Sequence, residues 1–275
     1  YTEKGDWDLF LMRPDGSERR NITNTPEFTE AAPRFSPDGK KILYRRLPKG
    51  ALISHDVWGF QGRLTIANAD GTDPVVYGGE GEYPWAAWSP DGKQISCLTK
   101  KGIQIIDLAT KQVVRQMPRK GFYQQLFWSP DGQWFCGVAN HLGKDWTVAR
   151  MNVATGEVNA VNTRGGGSCT PDWFPDSRRI IYSFNPPHQK GYGWTHLWMA
   201  DGDGRNPQLI YGQEGRHIYG GALSPDGKYV LMSISVADGG MSEWRGAPMA
   251  LMRLSDTPII EGKSETLRRQ HPNTN

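Results

Sequence analysis

Apolar residues in this 275-residue chain come in short runs of only a few, separated by turn-forming clusters of Pro, Asp and Gly. Runs such as Lys41-Ile42-Leu43-Tyr44 and Tyr229-Val230-Leu231-Met232, bounded on both sides by turn residues, read as β-strands. None approaches the ~18 to 20 apolar residues that a membrane-spanning helix needs, so no membrane insertion is expected.

The runs belong to a repeat. Five segments align without gaps: APRFSPDGKKILY, WAAWSPDGKQISC, QLFWSPDGQWFC, TPDWFPDSRRIIY and GALSPDGKYVLM, on Pro37, Pro90, Pro130, Pro175 and Pro225. The prolines lie 53, 40, 45 and 50 residues apart, the size of a propeller blade. In each copy an aromatic or Leu two residues before the proline (Phe35, Trp88, Trp128, Trp173, Leu223) closes a strand. Pro-Asp-Gly then turns the chain: proline presets φ, aspartate bonds amides two residues on, and glycine accepts positive φ. The fourth copy has Ser177 in the glycine position, so its turn must tolerate a side chain.

A weaker repeat lies between these inner hairpins. Apolar strands at Leu9–Met12, Leu64–Ala67, Ile103–Ile106, Thr147–Arg150, Leu197–Met199 and Ala250–Met252 are each followed by an Asp- or Gly-containing turn or its equivalent. Four antiparallel strands per unit, repeated around a ring, make a β-propeller. Six outer hairpins against five inner ones predict an all-β, six-bladed propeller with four-stranded antiparallel blades and an incomplete first blade; five blades plus an extra hairpin is the alternative. The propeller is expected over residues 1–260, as one domain entered mid-blade, with an irregular charged tail at 261–275.

Composition narrows the function. Lys and Arg exceed Asp and Glu by only three, and the basic residues lie in scattered pairs such as Arg45-Arg46 and Arg178-Arg179. A nucleic-acid binder would carry a basic cluster or stripe, so none is expected as partner. The three cysteines, Cys97, Cys136 and Cys169, fall in no metal-ligand spacing, and Cys97 and Cys136 read as small buried residues. No Gly-x-Ser-x-Gly elbow is present. Asp201-Gly-Asp203-Gly-Arg-Asn206 departs from a calcium loop at the required glycine and glutamate, and reads as a blade turn.

The repeated Phe/Trp-Ser-Pro-Asp-Gly-Lys followed by an apolar strand resembles the TolB-type propeller repeat, over about residues 8–260. Such propellers occur in TolB, in polysaccharide lyases of the oligogalacturonate type and as gating domains of prolyl-oligopeptidase-like peptidases. The resemblance implies a periplasmic or otherwise extracytoplasmic protein that engages a protein partner. TolB has an α/β domain ahead of its propeller, and this sequence starts without one.

In a propeller of this kind the Pro-Asp-Gly turns and outer-hairpin turns share one face, and the longer loops form the channel mouth on the other. Those loops carry His55, Trp58, Tyr83, Tyr123, Gln124, His141, Asp145, His188, Arg216 and His217, with Tyr192, Tyr219, Glu243 and Trp244, and with His196 one residue beyond. Polar and aromatic groups converging on one concavity suit a peptide or small ligand, and Trp58, Tyr123 and Arg216 are the expected anchors. The leading expectation is a monomeric, non-catalytic propeller with no cofactor, binding a protein segment or small ligand at the channel mouth. One alternative is a metal-dependent lyase of the oligogalacturonate type, in which a divalent ion held by His141, His188, His217 and Gln124 acidifies a sugar proton. The other is a propeller domain working within a larger protein.

Overall fold

The Ser-Pro-Asp-Gly copies fold as the turns their residues favour. In the computed structural model, which describes residues 7–51, 62–79, 81–82, 85–143, 145–188, 191–192, 194–236 and 249–254, Ser36 Oγ donates to Asp38 Oδ1 at 2.6 Å and accepts the Lys41 amide at 2.9 Å. Asp38 Oδ1 also takes the Lys40 amide at 3.1 Å, two residues on. The same three bonds recur around Ser89 and Asp91, Ser129 and Asp131, and Ser224 and Asp226. The serine hydroxyl bond, followed by the amide bond, holds the carboxyls of Asp38, Asp91 and Asp226 below their ordinary value. In the fourth copy Phe174 replaces the serine, and Asp176 accepts the Arg178 and Arg179 amides at 2.9 and 3.1 Å instead.

Each turn joins two strands of a blade, and the sheets follow one another in chain order. The first complete blade is β3 (Phe28–Phe35), β4 (Lys41–Pro48), β5 (Arg63–Asn68) and β6 (Val75–Tyr77). The second is β7 (Trp85–Trp88), β8 (Gln94–Thr99), β9 (Gly102–Asp107) and β10 (Val113–Met117). The third is β11 (Phe122–Trp128), β12 (Trp134–Ala139), β13 (Thr147–Asn152) and β14 (Val158–Ala160). The fourth is β15 (Gly167–Trp173), β16 (Arg179–Asn185), β19 (His196–Asp201) and β20 (Gln208–Tyr211); between its second and third strands β17 (Pro187–His188) and β18 (Gly191–Tyr192) form a small hairpin within a predicted mouth loop. The fifth has three described strands, β21 (Arg216–Leu223), β22 (Tyr229–Val236) and β23 (Met249–Arg253). All pairings are antiparallel.

The sixth blade is corrected. Among the described residues there are five blades, and the sixth outer hairpin stands as a two-stranded sheet, β1 (Phe10–Leu11) with β2 (Arg20–Asn21). An apolar run in the sequence marks an outer hairpin but does not reveal whether inner strands accompany it. Five blades and an extra hairpin account for the described residues. The expected tail at 261–275 lies outside the described residues.

A repeated bond fixes the face on which the turns lie. The residue leaving the third strand of each blade donates its amide to the carbonyl of the residue just ahead of the second strand: Ala69 to Lys40, Leu108 to Lys93, Val153 to Gln133, Gly202 to Arg178 and Leu254 to Lys228, at 2.6 to 3.0 Å. Pro-Asp-Gly turns and outer turns therefore share one face, as expected. The calcium-like segment is one of these outer turns, where Arg205 reaches Asp203 and Asn206 Nδ2 reaches Asp201 at 2.7 Å.

Apolar faces of neighbouring sheets supply the core. Leu43, Leu64 and Ile66 of the first blade meet Ile95, Cys97 and Ile106 of the second. Leu98, Ile103 and Ile105 meet Phe122, Leu126 and Phe135, and the series continues through Tyr182 and Phe184 to Ile218 and Val230. Cys97 and Cys136 are fully buried within it, as expected. The aromatic column faces the preceding blade: Trp88 Nε1 donates to the Arg34 carbonyl at 3.1 Å. Phe35, first in that column, is 51% exposed; among the described residues the hairpin preceding it has no inner strands to cover it.

Candidate functional site

The inner strands carry a feature that the repeat alone does not reveal. Three residues before the aromatic position, Ala32, Gln125, Thr170 and Gly220 all have left-handed φ, of 55°, 55°, 50° and 86°. At each, the register with the second strand shifts, between Ala31 and Arg34, Gln124 and Phe127, Cys169 and Asp172, and Tyr219 and Ala222. These are β-bulges, which turn backbone groups and side chains out of the ladder. Three of the four left-handed positions are not glycine, a conformation that costs energy and collects at functional sites.

The bulges bond from blade to blade. Gln125 Oε1 accepts the Thr170 amide at 2.8 Å, and Thr170 Oγ1 accepts the Gly220 amide at 3.3 Å while paired with Ser183 Oγ at 2.6 Å. Two residues further along β15, Asp172 Oδ2 accepts the Leu223 amide of β21 and its Oδ1 the Trp173 amide, each at 3.0 Å. Burial pushes the Asp172 carboxyl up against the opposing pull of Arg34 and these two amides. The result is a polar belt in the middle of the molecule.

Beside that belt lies a cavity of about 240 Å³, lined by inner-strand residues of four blades, with Arg34, Gln125, Phe127, Thr170, Tyr219 and Ala222 among them. Its apolar wall includes Leu231, Met232 and Met249. The Arg34 guanidinium lies over the Phe127 ring at 4.1 Å from the centroid, a cation–π contact that fixes the head group against the wall.

The predicted mouth residues are distributed differently. His55, Trp58 and Tyr83, with Glu243 and Trp244, lie outside the described residues. Gln124 is buried in β11, opposite Val138. Tyr123 is its half-buried neighbour. His141 is exposed on a loop at φ 68°, and on the same loop Asp145 Oδ2 accepts the Gly166 amide at 3.1 Å. His188 pairs through its backbone with Gly191. Arg216 and His217 open β21, opposite Val236 and Ser235.

His217 has the fullest set of contacts. Its Nδ1 accepts the Thr195 amide at 3.2 Å and lies 2.8 Å from Thr195 Oγ1. Its ring stacks on Tyr219, 5.7 Å between centroids, and meets the edge of Trp194 at 5.8 Å. Burial holds His217 below its ordinary value; burial and then the charge of His217 do the same to His196. Both are neutral imidazoles at pH 7. Burial also pushes the nearby Cys169 thiol up to about 12, so it is not poised as a nucleophile.

Tyr219 both stacks on His217 and lines the cavity, linking the mouth to the channel. Among the described residues no three His, Cys, Asp or Glu side chains gather as a metal cage, and Gln124, His141 and His217 occupy separate settings. Arg34, Gln125, Thr170 and Asp172 were missed. A signal for them was present in the aligned repeats, where the column before the aromatic reads Arg34, Ala87, Phe127, Asp172, Ala222: two opposite charges at positions that face the channel or its wall.

The sequence matches no protein-family model and no curated relative. Its structure is similar to that of TolB from Acinetobacter baumannii (TM-score 0.63, 19% identity, 84% of this chain against 57% of that one). It is also similar to an oligogalacturonate lyase in complex with manganese (TM-score 0.56, 14% identity, 84% against 67%), and to a chain of the nidogen/laminin complex (0.61, 11%, 89% against 84%). The chain thus spans little more than half the length of the Acinetobacter TolB. Blades, turn chemistry and structural neighbours agree on one fold: the chain is a β-propeller similar in fold to the propeller of TolB.

Proposed function

We propose that this chain is a non-catalytic, extracytoplasmic propeller that binds an extended protein segment, whose tip enters the central channel from the His217–Tyr219 side. The observation that carries this reading is the cavity between the inner strands. At about 240 Å³ it falls below the ~300–1,000 Å³ that encloses a drug-sized ligand. It has room for the end of a chain or one large side chain, with the remainder lying across the mouth. The lining supports a peptide, since it mixes an apolar wall with backbone and side-chain polar groups.

A library of displayed random peptides tests the proposal. Selection on the purified protein is expected to return binders whose capture is lost in Ala222→Trp, which fills the cavity, provided that the variant keeps its thermal midpoint. Binders unaffected by Ala222→Trp would overturn the channel as their site.

The metal-dependent lyase is the second reading, raised by the fold shared with the manganese-bound lyase. It requires ligands among Gln124, His141, His188 and His217, and the described ones do not converge. A rise in ultraviolet absorbance on incubating the protein with manganese and a uronic oligosaccharide would establish it over the binding reading.

A further inference from the structure

Among the described residues, Arg34 holds the one formal charge in the lining of the central cavity and has no hydrogen-bond acceptor or ion-pair partner. Its guanidinium lies over the Phe127 ring. The Asp172 carboxylate accepts the amides of Trp173 and Leu223 and interacts with Arg34 through space, with no direct bond between the two side chains. A carboxylate is the group whose two oxygens match the planar fork of a guanidinium.

What surrounds Arg34 restricts the carboxylate's owner. Leu231, Met232 and Met249 form an apolar wall in the same small cavity, so the ligand that satisfies both features places an apolar side chain beside its carboxylate. A chain ending in an apolar residue has that arrangement. We infer that Arg34 anchors the terminal carboxylate of the bound segment and that Leu231, Met232 and Met249 receive its last side chain. The inference rests on the peptide-binding reading and specifies its chemistry. A uronic acid offers the same carboxylate but no apolar side chain.

The experiment uses three probes, N-acetyl-alanyl-leucine, its C-terminal amide and galacturonic acid, each titrated against the protein while the arginine Nε–Hε resonances are followed by NMR. The acid peptide is expected to bind at least ~10-fold tighter than its amide, because charge-assisted bonds to a fork are about twice as strong as neutral ones. Arg34→Gln should abolish that preference, and Arg34→Lys, a point charge, should restore only part of it. Equal binding of acid and amide would overturn the carboxylate anchor and leave the peptide reading intact. Galacturonic acid binding tighter than the acid peptide would overturn the peptide end in favour of a sugar acid. Failure of all three probes to bind would overturn the anchor, and the displayed-peptide selection would then decide the peptide reading separately. Arg34→Gln carries its own folding control, since removing that charge should move the Asp172 titration upward while the thermal midpoint holds.

Discussion

Ser177 shows how a single side chain adapts to a backbone built for glycine. It sits at φ 57°, where the other four turns have Gly39, Gly92, Gly132 and Gly227 at 69°, 68°, 72° and 70°. A left-handed non-glycine residue costs ~1 kcal/mol, and here the Ser177 hydroxyl offsets it by accepting the Asp131 amide of the neighbouring blade at 2.9 Å. Ser177→Ala keeps the strain and loses the bond, so it should destabilise by ~1 kcal/mol in urea unfolding. Ser177→Gly loses both and should stay within ~0.5 kcal/mol of the parent. Equal destabilisation by the two would remove the offsetting role of the hydroxyl.

The two mouth histidines make a second prediction at this scale. Their folded pKa values lie below the ordinary 6.5, so between the two values the unfolded chain binds more protons than the folded one. Their share of stability is therefore full above pH 6.5 and is lost as the pH falls toward the depressed folded values. The thermal midpoint should drop from pH 7 to pH 5 and drop less in a His196→Gln/His217→Asn variant. An equal fall in both would assign the acid sensitivity to other groups.

Among the elements, strands and turns were legible in the sequence because their signals are local: an aromatic, Ser-Pro-Asp-Gly, then an apolar run. The bulges were not. A bulge is a relation between two strands, and Ala32, Gln125, Thr170 and Gly220 share no side-chain type that would announce a common φ. The bonds between bulges were equally hidden, since Gln125 and Thr170 stand 45 residues apart. Thr170 is the centre of that belt. Thr170→Val keeps its shape but leaves the Gly220 amide without its acceptor and removes the Ser183 bond. It should cost ~1–3 kcal/mol in chemical unfolding and speed hydrogen exchange at Gly220, while Thr170→Ser should retain most of both. An unchanged Gly220 exchange rate in Thr170→Val would show that the belt does not hold the bulges.

At the scale of the molecule, the repeat predicted a ring of like units and the structure describes five with one outer hairpin beside them. The seam is visible in two ways. Phe35 is 51% exposed although its counterpart Trp173 is buried, and Met249 and Leu251 on β23 are 58% and 45% exposed. The candidate site was legible only in outline. Loop position pointed to the mouth, where His217 has the fullest set of contacts, but the cavity lies deeper, on inner-strand residues that sequence periodicity assigned to the scaffold. Arg34 and Asp172 were readable as charges in an otherwise apolar or small column, provided that the column was read across blades rather than along the chain.

Hydrogen exchange on the complex with a selected peptide tests the central claim most directly. If the segment enters the channel, saturation with peptide should slow the backbone amides at 125–127, 172 and 219–222 and leave the outer strands β6, β10, β14 and β20 unchanged. Protection confined to those outer strands or to the Pro-Asp-Gly turns, with the inner strands unaltered, would contradict the account.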